Sequence, residues 1–312
     1  MTLTQLEYIV ALDTYRNFVL AAEKCFVSQP TLSMQVLKLE ELLGAKLFDR
    51  TRQPVVPTEI GAEIIEQART VLNESKKIKE IIASKQGEVS GELKIGIIPT
   101  IAPYLLPGVM SKFQNSYPNV QLEIWEYTTE QILEKLKLNL LDCGILATPV
   151  EDRSIIETPL FYETFILYVS KTSDLLSKKT VTARDIDPEE VWLLNEGNCM
   201  RNQALNICQF KKKGLEKRFE YNTGSVDSLR RMVDMNNGIT ILPELAISDF
   251  SVSQLTQIRH FESPQPSREI SLITHRNFLK QNLILRLKKE ILQIIPDRMK
   301  SRDQKEVIGI FT

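Results

Sequence analysis

The chain has 312 residues, a length that predicts two or more domains, and 43% of them are hydrophobic, enough for ordinary globular cores. Its formal net charge of −1 excludes a generally basic nucleic-acid-binding protein, so a DNA-binding surface would need local clusters of Lys and Arg. Four cysteines in a chain this long do not make a disulfide scaffold, and no apolar run is long enough to span a membrane. The first residues lack the basic and apolar parts of a signal peptide, so we expect a protein of the reducing cytoplasm without a membrane partner.

Residues 1–57 have the order of elements of a winged helix-turn-helix domain. Two short helices come first and a tight turn follows. Ser28 can cap a third helix, Pro30 falls in its first turn, and Gly44 can end it. A hydrophobic stripe on this helix predicts its core contacts: Leu32, Val36, Leu39 and Leu43. Residues 47–56 then predict a small hairpin, the wing.

The second helix of a helix-turn-helix motif presents its N-terminal residues to the major groove of DNA. The residues expected to contact base edges or thymine methyl groups are Gln29, Pro30 and Thr31. The expected phosphate contacts are Ser28, Ser33 and Lys38, and Gln35 shares their exposed face. Arg50 and Arg52 near the wing tip suit minor-groove or phosphate contact, although exposed arginines can also be ordinary solvated charges.

This N-terminal segment resembles the LysR-type transcriptional regulators. The matching residues, in the family's order and spacing, are Phe18, Ala21, Ala22, Ser28, Gln29, Pro30, Thr31, Leu32, Ser33, Leu39, Glu40, Leu47, Phe48, Arg50, Thr58 and Gly61. The resemblance continues to about residue 297. It implies a regulator that binds double-stranded promoter DNA, is not an enzyme, and has RNA polymerase as a further partner.

Residues 58–91 predict a long helix followed by a hinge. Thr58 can cap the helix, which reaches about Lys85, and Gln86–Gly91 form the hinge. A narrow stripe with four-three spacing runs along the helix: Ile64, Ala68, Val71, Ser75, Ile78 and Ile82. The length favours a subunit interface, although packing on its own domain is the alternative. The resemblance implies that this helix pairs two subunits within a dimer of dimers, a homotetramer.

Residues 92–300 alternate strand and helix patterns, which predicts a parallel α/β sheet. We expect two lobes, lobe I from 92–162 and 268–300 and lobe II from 163–267. Crossovers between them are expected near Leu160–Thr164 and Pro264–Arg268. The resemblance implies the same two-lobed effector domain, which looks like a periplasmic binding protein. Residues 301–312 are expected to be a disordered tail.

The segment around Cys199 and Cys208 carries the most distinctive chemistry. A helix is expected over Met200–Lys213, which places Cys199 at a helix N-terminus beside Arg201 and predicts a lowered thiol pKa. In one continuous helix the two cysteines would be separated by roughly 13 Å of axial rise. Since a disulfide needs Cα atoms within about 7 Å, bonding would require the helix to unwind, as in a two-state switch. The alternative is two unrelated small hydrophobic side chains.

Two threonines add to this candidate site. Thr100 ends one predicted strand and Thr129 follows another, so both can face the cleft between the lobes together with Cys199. Each threonine alone could equally be a helix cap or a turn residue. The other cysteines, Cys25 and Cys143, are expected in cores. No metal or other cofactor is expected, because His260 and His275 show no metal-ligand spacing.

Within the LysR family, the segment Glu196–Leu205 together with Cys208 resembles OxyR, the peroxide-sensing branch. The resemblance implies that Cys199 is the peroxidatic thiol and Cys208 the resolving thiol. It also implies that Thr100, Thr129, Asn198 and Arg201 orient the peroxide. One position departs from the pattern: OxyR proteins usually carry His where this chain has Asn198, and an amide cannot exchange a proton near neutral pH.

The leading hypothesis is therefore a peroxide-responsive transcription factor that controls oxidative-stress genes through reversible disulfide formation. The first alternative is a LysR-type regulator that responds to a small-molecule effector, with incidental cysteines. The second is a thiol peroxidase that turns over, which a helix-turn-helix domain does not favour. The sequence leaves open the operator, and whether the protein activates or represses.

Overall fold

The computed structural model describes residues 1–85, 89–208, 223–276, 278 and 280–310. The chain divides near residue 88 into two compact units, here called the head and the effector unit. Within the described residues, none of the helices combines the length and the apolar composition that crossing a membrane requires.

The head is built from short capped helices and a two-stranded wing. Its elements are α1 (Leu3–Tyr15), α2 (Phe18–Lys24), α3 (Gln29–Leu43), β1 (Phe48–Asp49), β2 (Val56–Pro57) and α4 (Glu59–Lys85). The Thr2 side chain caps α1 in a capping box with Gln5, and the Ser28 side chain caps α3. Gly44 ends α3 with φ +67°, a left-handed conformation that costs glycine little. The predicted winged helix-turn-helix is confirmed.

The core of the head lies between α1, α2, α3 and the start of α4. Leu32, Val36 and Leu39 of the predicted stripe are fully buried in it. The prediction for Leu43 is wrong, because this side chain is 38% exposed. The core ends one turn earlier, at Leu39, and the last turn of α3 lies beyond it.

The two halves of the long helix α4 differ in how far their side chains are buried. Ala68 of the predicted stripe is buried in the core of its own head, and Arg69 beside it forms a buried ion pair with Asp13 at 2.8 Å. Ile78, further along, is 65% exposed. The alternative of packing on its own domain therefore holds for the first half, whereas Ile78 does not pack against that core. The side chain of Ile82 and residues 86–88 of the expected hinge lie outside the described residues.

The effector unit is an α/β structure with two lobes. Its strands are β3 (Gly91–Ile97), β4 (Val120–Glu126), β5 (Cys143–Thr148), β6 (Ile155–Val169), β7 (Thr180–Val181), β8 (Val191–Trp192), β9 (Ile239–Pro243), β10 (Ile258–Phe261), β11 (Gln265–His275) and β12 (Lys305–Val307). Its helices are α5 (Ala102–Ser116), α6 (Thr129–Lys137), α7 (Cys199–Cys208), α8 (Val226–Asn236), α9 (Val252–Leu255) and α10 (Gln281–Ile294). In lobe I, β4, β3 and β5 are parallel, and β11 lies antiparallel to β5.

The passage between the lobes runs along continuous strands rather than through loops. Residues 155–164 of β6 pair with β11, and residues 165–169 of the same strand pair with β9 in lobe II. The expected crossover near Leu160–Thr164 therefore lies inside one 15-residue strand. The second, near Pro264–Arg268, lies largely within β11. Sheet pairing in the two lobes therefore fixes the backbone of β6 on both sides of the passage.

The prediction of a disordered tail is wrong for residues 301–310. β12 pairs in parallel with the start of β11, and the Ile308 N–H donates to the Ser267 carbonyl at 2.8 Å. Ile310 is only 3% exposed. The polar run 301–306 suggested a solvated tail, but the apolar residues that follow it supply an anchor.

Candidate redox and DNA-binding sites

Helix α7 begins at Cys199 and ends at Cys208, so the two cysteines occupy its first and last described positions. Both are buried, at 9% and 7% exposure, and both are free thiols. Nine residues of helix correspond to roughly 13 Å of axial rise, beyond the Cα separation of about 7 Å that a disulfide spans. Residues 209–213 of the expected helix lie outside the described residues. A bond between these cysteines therefore requires α7 to unwind.

The surroundings of Cys199 come from both lobes. Thr129 is the first residue of α6, in lobe I, and its neighbour Thr128 is the residue that caps this helix. The buried Thr129 hydroxyl has no well-oriented hydrogen-bond partner among the described residues, and it lies close enough to the Cys199 thiol to lower its pKa. The helix cap is therefore Thr128, and the role of Thr129 as a site residue stays a prediction.

Thr100 is tied to an arginine that the sequence analysis did not single out. Arg268 of β11 donates from Nη1 to the Thr100 hydroxyl at 2.9 Å and from Nη2 to the Thr100 carbonyl at 3.1 Å. Its guanidinium also forms an ion pair with Glu163 of β6, with Nε and Nη2 at 2.8 and 2.7 Å from Oε2. Both charged side chains are completely buried. A fixed positive charge is thus held at the junction of the two lobes.

The pKa of Cys199 departs from the prediction. Burial raises the pKa of this thiol, because a low-dielectric environment disfavours the thiolate. The Arg268 charge, the Thr129 hydroxyl and the N–H groups of Met200 and Cys199 act in the opposite direction. The expected lowering by the helix N-terminus is therefore present but smaller than the effect of burial. The cation acting on Cys199 is Arg268.

The two remaining pocket candidates lie at the start of α7. Arg201 donates from Nη1 to the Leu194 carbonyl at 2.9 Å, so its guanidinium ties α7 to the segment after β8. The Asn198 carbonyl accepts from the Arg201 N–H at 2.9 Å, and the Asn198 residue is half-buried. Both residues therefore shape the turn that leads into Cys199.

Cys208 lies in an apolar setting. Its side chain belongs to the hydrophobic core of lobe II together with Met200, Ala204 and Ile207 of the same helix. Burial raises the pKa of Cys208 to about 12. At neutral pH this group is therefore a protonated, poorly nucleophilic thiol as long as α7 stays folded. The other cysteines differ: Cys143 is fully buried in β5, as expected, and Cys25 is only half-buried.

Seven of the expected DNA-contacting residues lie between the cap of α3 and Lys38 in its second half. Gln29, Pro30 and Lys38 are exposed, and Thr31, Ser33 and Gln35 are partly exposed. The Ser28 and Thr31 hydroxyl groups lie 2.7 Å apart, and the Thr31 N–H donates to the Ser28 hydroxyl at 3.4 Å. Gln35 accepts from the Gln5 amide at 3.2 Å. These seven residues thus lie around the sides of α3 that the core stripe of Leu32, Val36 and Leu39 leaves uncovered.

The two wing arginines have different environments. Arg50 donates to the buried carboxylate of Glu40 at 2.8 Å and stacks over the Phe18 ring, and its side chain is 37% exposed. Arg52 is 72% exposed and lies 3.3 Å from Asp49. Arg50 therefore has a structural role that the sequence analysis missed, whereas Arg52 forms an exposed ion pair with Asp49 and its contact with DNA stays a prediction.

Two family models match the chain. Residues 3–62 match the bacterial regulatory helix-turn-helix protein model of the lysR family, and residues 86–293 match the LysR substrate binding domain model. The "Hydrogen peroxide-inducible genes activator" of Haemophilus influenzae is 39% identical over 273 residues, covering 88% of this chain and 90% of that protein. The "DNA-binding transcriptional dual regulator OxyR" of Escherichia coli K12 is 39% identical over 274 residues, covering 88% and 89%.

A similar solved structure leads to the same family. A full-length OxyR variant from Pseudomonas aeruginosa has a TM-score of 0.77 and 31% sequence identity, and the match covers 94% of this chain and 98% of that one. The chain belongs to the LysR family of bacterial helix-turn-helix regulators, and its close relatives include proteins named OxyR.

Proposed function

We propose that this protein is a hydrogen peroxide-responsive transcription regulator that senses peroxide through a reversible Cys199–Cys208 disulfide. The observation that carries the proposal is the pair of buried free thiols at the two ends of one short helix, with Thr129 and Arg268 acting on the first thiol and Thr100 bonded to Arg268. The names of its relatives, among them the hydrogen peroxide-inducible genes activator, support the same ligand.

The chemistry proceeds in two balanced steps. The Cys199 thiolate attacks one oxygen of hydrogen peroxide, the O–O bond breaks, and the products are a sulfenic acid and a hydroxide that takes up a proton to become water. The Cys208 sulfur then attacks the Cys199 sulfur, and the sulfenic oxygen leaves as a second water. A dithiol reductant reverses the bond by thiol–disulfide exchange.

The chain's own residues have assigned parts in these steps. Thr100, Thr129, Asn198 and Arg201 orient the peroxide, and Arg268 stabilises the thiolate. The second step waits for α7 to unwind, because Cys208 starts as a buried, protonated thiol at the far end of the helix. An amide at Asn198 can hydrogen-bond a peroxide oxygen without titrating, so the peroxide reaction should lack the pH dependence that a histidine would add.

The regulator is proposed to bind promoter DNA through the exposed face of α3 and the wing, with Ser28, Gln29, Pro30, Thr31, Ser33, Gln35, Lys38, Arg50 and Arg52 as its contacts. We place it in the cytoplasm, where such DNA lies. Ile78, exposed on the second half of α4, suits pairing with a second copy. A dimer of dimers and a contact with RNA polymerase complete the proposal.

Non-reducing peptide mapping by mass spectrometry, before and after a stoichiometric pulse of peroxide, tests this function. The wild-type chain should gain a Cys199–Cys208 cross-link, and Cys208→Ser should stop at a sulfenic acid on Cys199 that a dimedone-type reagent traps. Cys143→Ser, a fully buried thiol in β5, is the matched control and should still form the bond. A wild-type chain without this cross-link, or an unchanged promoter response in Cys199→Ser, would favour a small-molecule effector instead.

A further inference from the structure

The C-terminal residues 305–310, here called the clasp, contact the redox helix directly. Three side-chain amides on α7 donate to three consecutive carbonyl groups of the clasp. Asn202 donates to Ile310 at 3.2 Å, Gln203 to Ile308 at 2.9 Å and Asn206 to Gly309 at 3.3 Å. The donors and acceptors are 103 to 108 residues apart in the sequence, so the clasp is a tertiary support for α7.

The clasp is itself held in place by parts of the effector unit other than α7. β12 pairs with residues 265–267 of β11, and the Ile308 N–H donates to the Ser267 carbonyl. The Lys305 ammonium donates to the carbonyls of Tyr162, Arg298 and Ser301 at 3.2, 2.7 and 2.9 Å. Ile308 packs against the lobe II core. The clasp therefore presents its carbonyls to α7 from a fixed position.

The three contacts depend on α7 being a helix. Positions 202 and 206 are four residues apart and lie on one side of a helix only while it is wound, with 203 next to them. Gln203 is completely buried, its Oε1 has no partner among the described residues, and its Nε2 is bonded to the clasp. Unwinding α7 breaks this set of bonds and removes Gln203 from its buried position.

We propose that the clasp is a positioning element of the redox centre: by holding α7 in its helical form, it sets how readily Cys208 reaches oxidised Cys199. This proposal rests on the disulfide mechanism proposed above. Because the clasp stabilises the reduced form selectively, it makes the disulfide harder to form and easier to reduce. Loss of the clasp contacts shifts the thiol–disulfide equilibrium towards the disulfide.

The test compares two buried glutamines of the same lobe. Gln203→Met keeps side-chain volume and removes the donor to the clasp. Gln257→Met is the matched control, because Gln257 is 2% exposed, donates to the Val169 carbonyl at 2.9 Å, and also has an unpartnered Oε1 among the described residues. The midpoint potential of the Cys199–Cys208 couple is measured by thiol trapping in dithiothreitol redox buffers, together with the rate of bond closure after peroxide.

Gln203→Met should favour the disulfide about tenfold, a shift of about 30 mV towards more negative potential, and should close the bond faster. Deletion of residues 305–312 should shift the potential further in the same direction. Gln257→Met should leave both quantities near wild type. If the deletion variant does not fold, the proposal can still be tested with Gln203→Met and with Asn206→Ala, a substitution at an exposed position.

An unchanged potential in folded Gln203→Met, or an equal shift in Gln257→Met, would overturn the proposal, since the effect would then be absent or a general result of lost stability. A wild-type chain that forms no Cys199–Cys208 bond would instead overturn the proposed function. The two failures are therefore distinguishable in one set of measurements.

Discussion

The head and the effector unit are each organised around a buried glutamate that pairs with an arginine. In the head, Glu40 accepts from the backbone N–H groups of Leu47 and Phe48, at 2.8 and 3.3 Å, and from Arg50 at 2.8 Å. In the effector unit, Glu163 accepts from the Leu245 N–H at 2.8 Å and from Arg268 at 2.7 Å. The chemistry of the two arrangements is the same.

They differ in how far along the chain they reach. Glu40 and its partners are 7 to 10 residues apart, whereas Glu163 is 82 residues from Leu245 and 105 from Arg268. Arg50 is also partly exposed, so solvent screens its pairing, while Arg268 has no exposure at all. A pair within a local segment fixes the shape of that segment. A pair between distant strands positions a charge that acts on the Cys199 thiol.

The largest expected effect comes from breaking the distant pair. Arg268→Met leaves the Glu163 carboxylate buried without its cation, so the effector unit should lose about 3–5 kcal/mol of unfolding free energy. Removal of the positive charge should also raise the pKa of Cys199 further and slow its reaction with peroxide. Urea unfolding and the pH dependence of Cys199 alkylation measure the two effects.

The double variant Arg268→Met with Glu163→Leu separates stability from reactivity. Replacing a whole buried ion pair by apolar side chains is often neutral, so the unfolding free energy should largely recover. The Cys199 reactivity should stay low, because the cation is still missing. Recovery of both quantities together would mean that Arg268 acts on Cys199 only through the fold. For the unfolding free energy alone, Arg201→Met is the comparison: it loses a single bond to the Leu194 carbonyl and should cost about 1 kcal/mol.

A second prediction compares a thiol of the effector unit with one of the head. In a chain in which Cys208 is the only cysteine, its alkylation below pH 9 should be about a thousandfold slower in the folded than in the unfolded protein. The reason is that burial raises the pKa of Cys208 from 9.0 to about 12, and each pKa unit is a tenfold loss of thiolate. A chain with only Cys25, which is half-buried, should show weaker protection.

The same shift has a defined pH window. A thiol whose folded pKa is raised binds its proton more tightly in the folded state, so its contribution to stability is complete below about pH 9. That contribution is lost as the pH rises from about 9 towards 12. The helicity of α7, followed by hydrogen exchange, should therefore fall in this range in wild type and not in Cys208→Ala. Equal behaviour of the two chains would contradict the burial of this thiol.

A third prediction breaks the local pair. Glu40→Gln weakens three hydrogen bonds, two of them to backbone N–H groups of the wing, and should lower the unfolding free energy of the head by about 1–3 kcal/mol. DNA affinity should fall, because the wing is positioned less firmly. Cys199 alkylation should stay at the wild-type rate, and a change there would show that the head and the redox site are not independent.

The contrast between near and distant partners also explains what the sequence could predict. The head follows rules that act within one turn of helix: Thr2 caps α1, Ser28 caps α3, and Gly44 ends it. Cys199 at the start of a helix was predictable for the same reason, since a strand and a turn precede it. The alternation of strands and helices in the effector unit was likewise visible from residue periodicity.

The remaining features depend on contacts that no short window contains. Arg268 and the clasp were missed because their partners lie more than 100 residues away. The pKa of Cys199 was predicted in the wrong direction because helix position is a local feature, whereas burial depends on the whole fold. One signal was available: Glu163 is the one charged residue in the largely apolar stretch 160–169 of β6, and a charge in such a stretch calls for a buried partner.

The smallest expected effect lies within the head itself. Ser28→Ala removes the side-chain cap of α3 and the contact with the Thr31 hydroxyl, which should lower the unfolding free energy of the head by about 1 kcal/mol. For the unfolding free energy, the matched control is Ser33→Ala, which lies in the interior of the same helix and removes no cap. Equilibrium unfolding measures stability, and titration with promoter DNA at two salt concentrations measures binding. The cap acts only within the first turn of α3, so the midpoint potential of the Cys199–Cys208 couple should be unchanged. A shifted potential would mean that the α3 cap also affects the stability of α7.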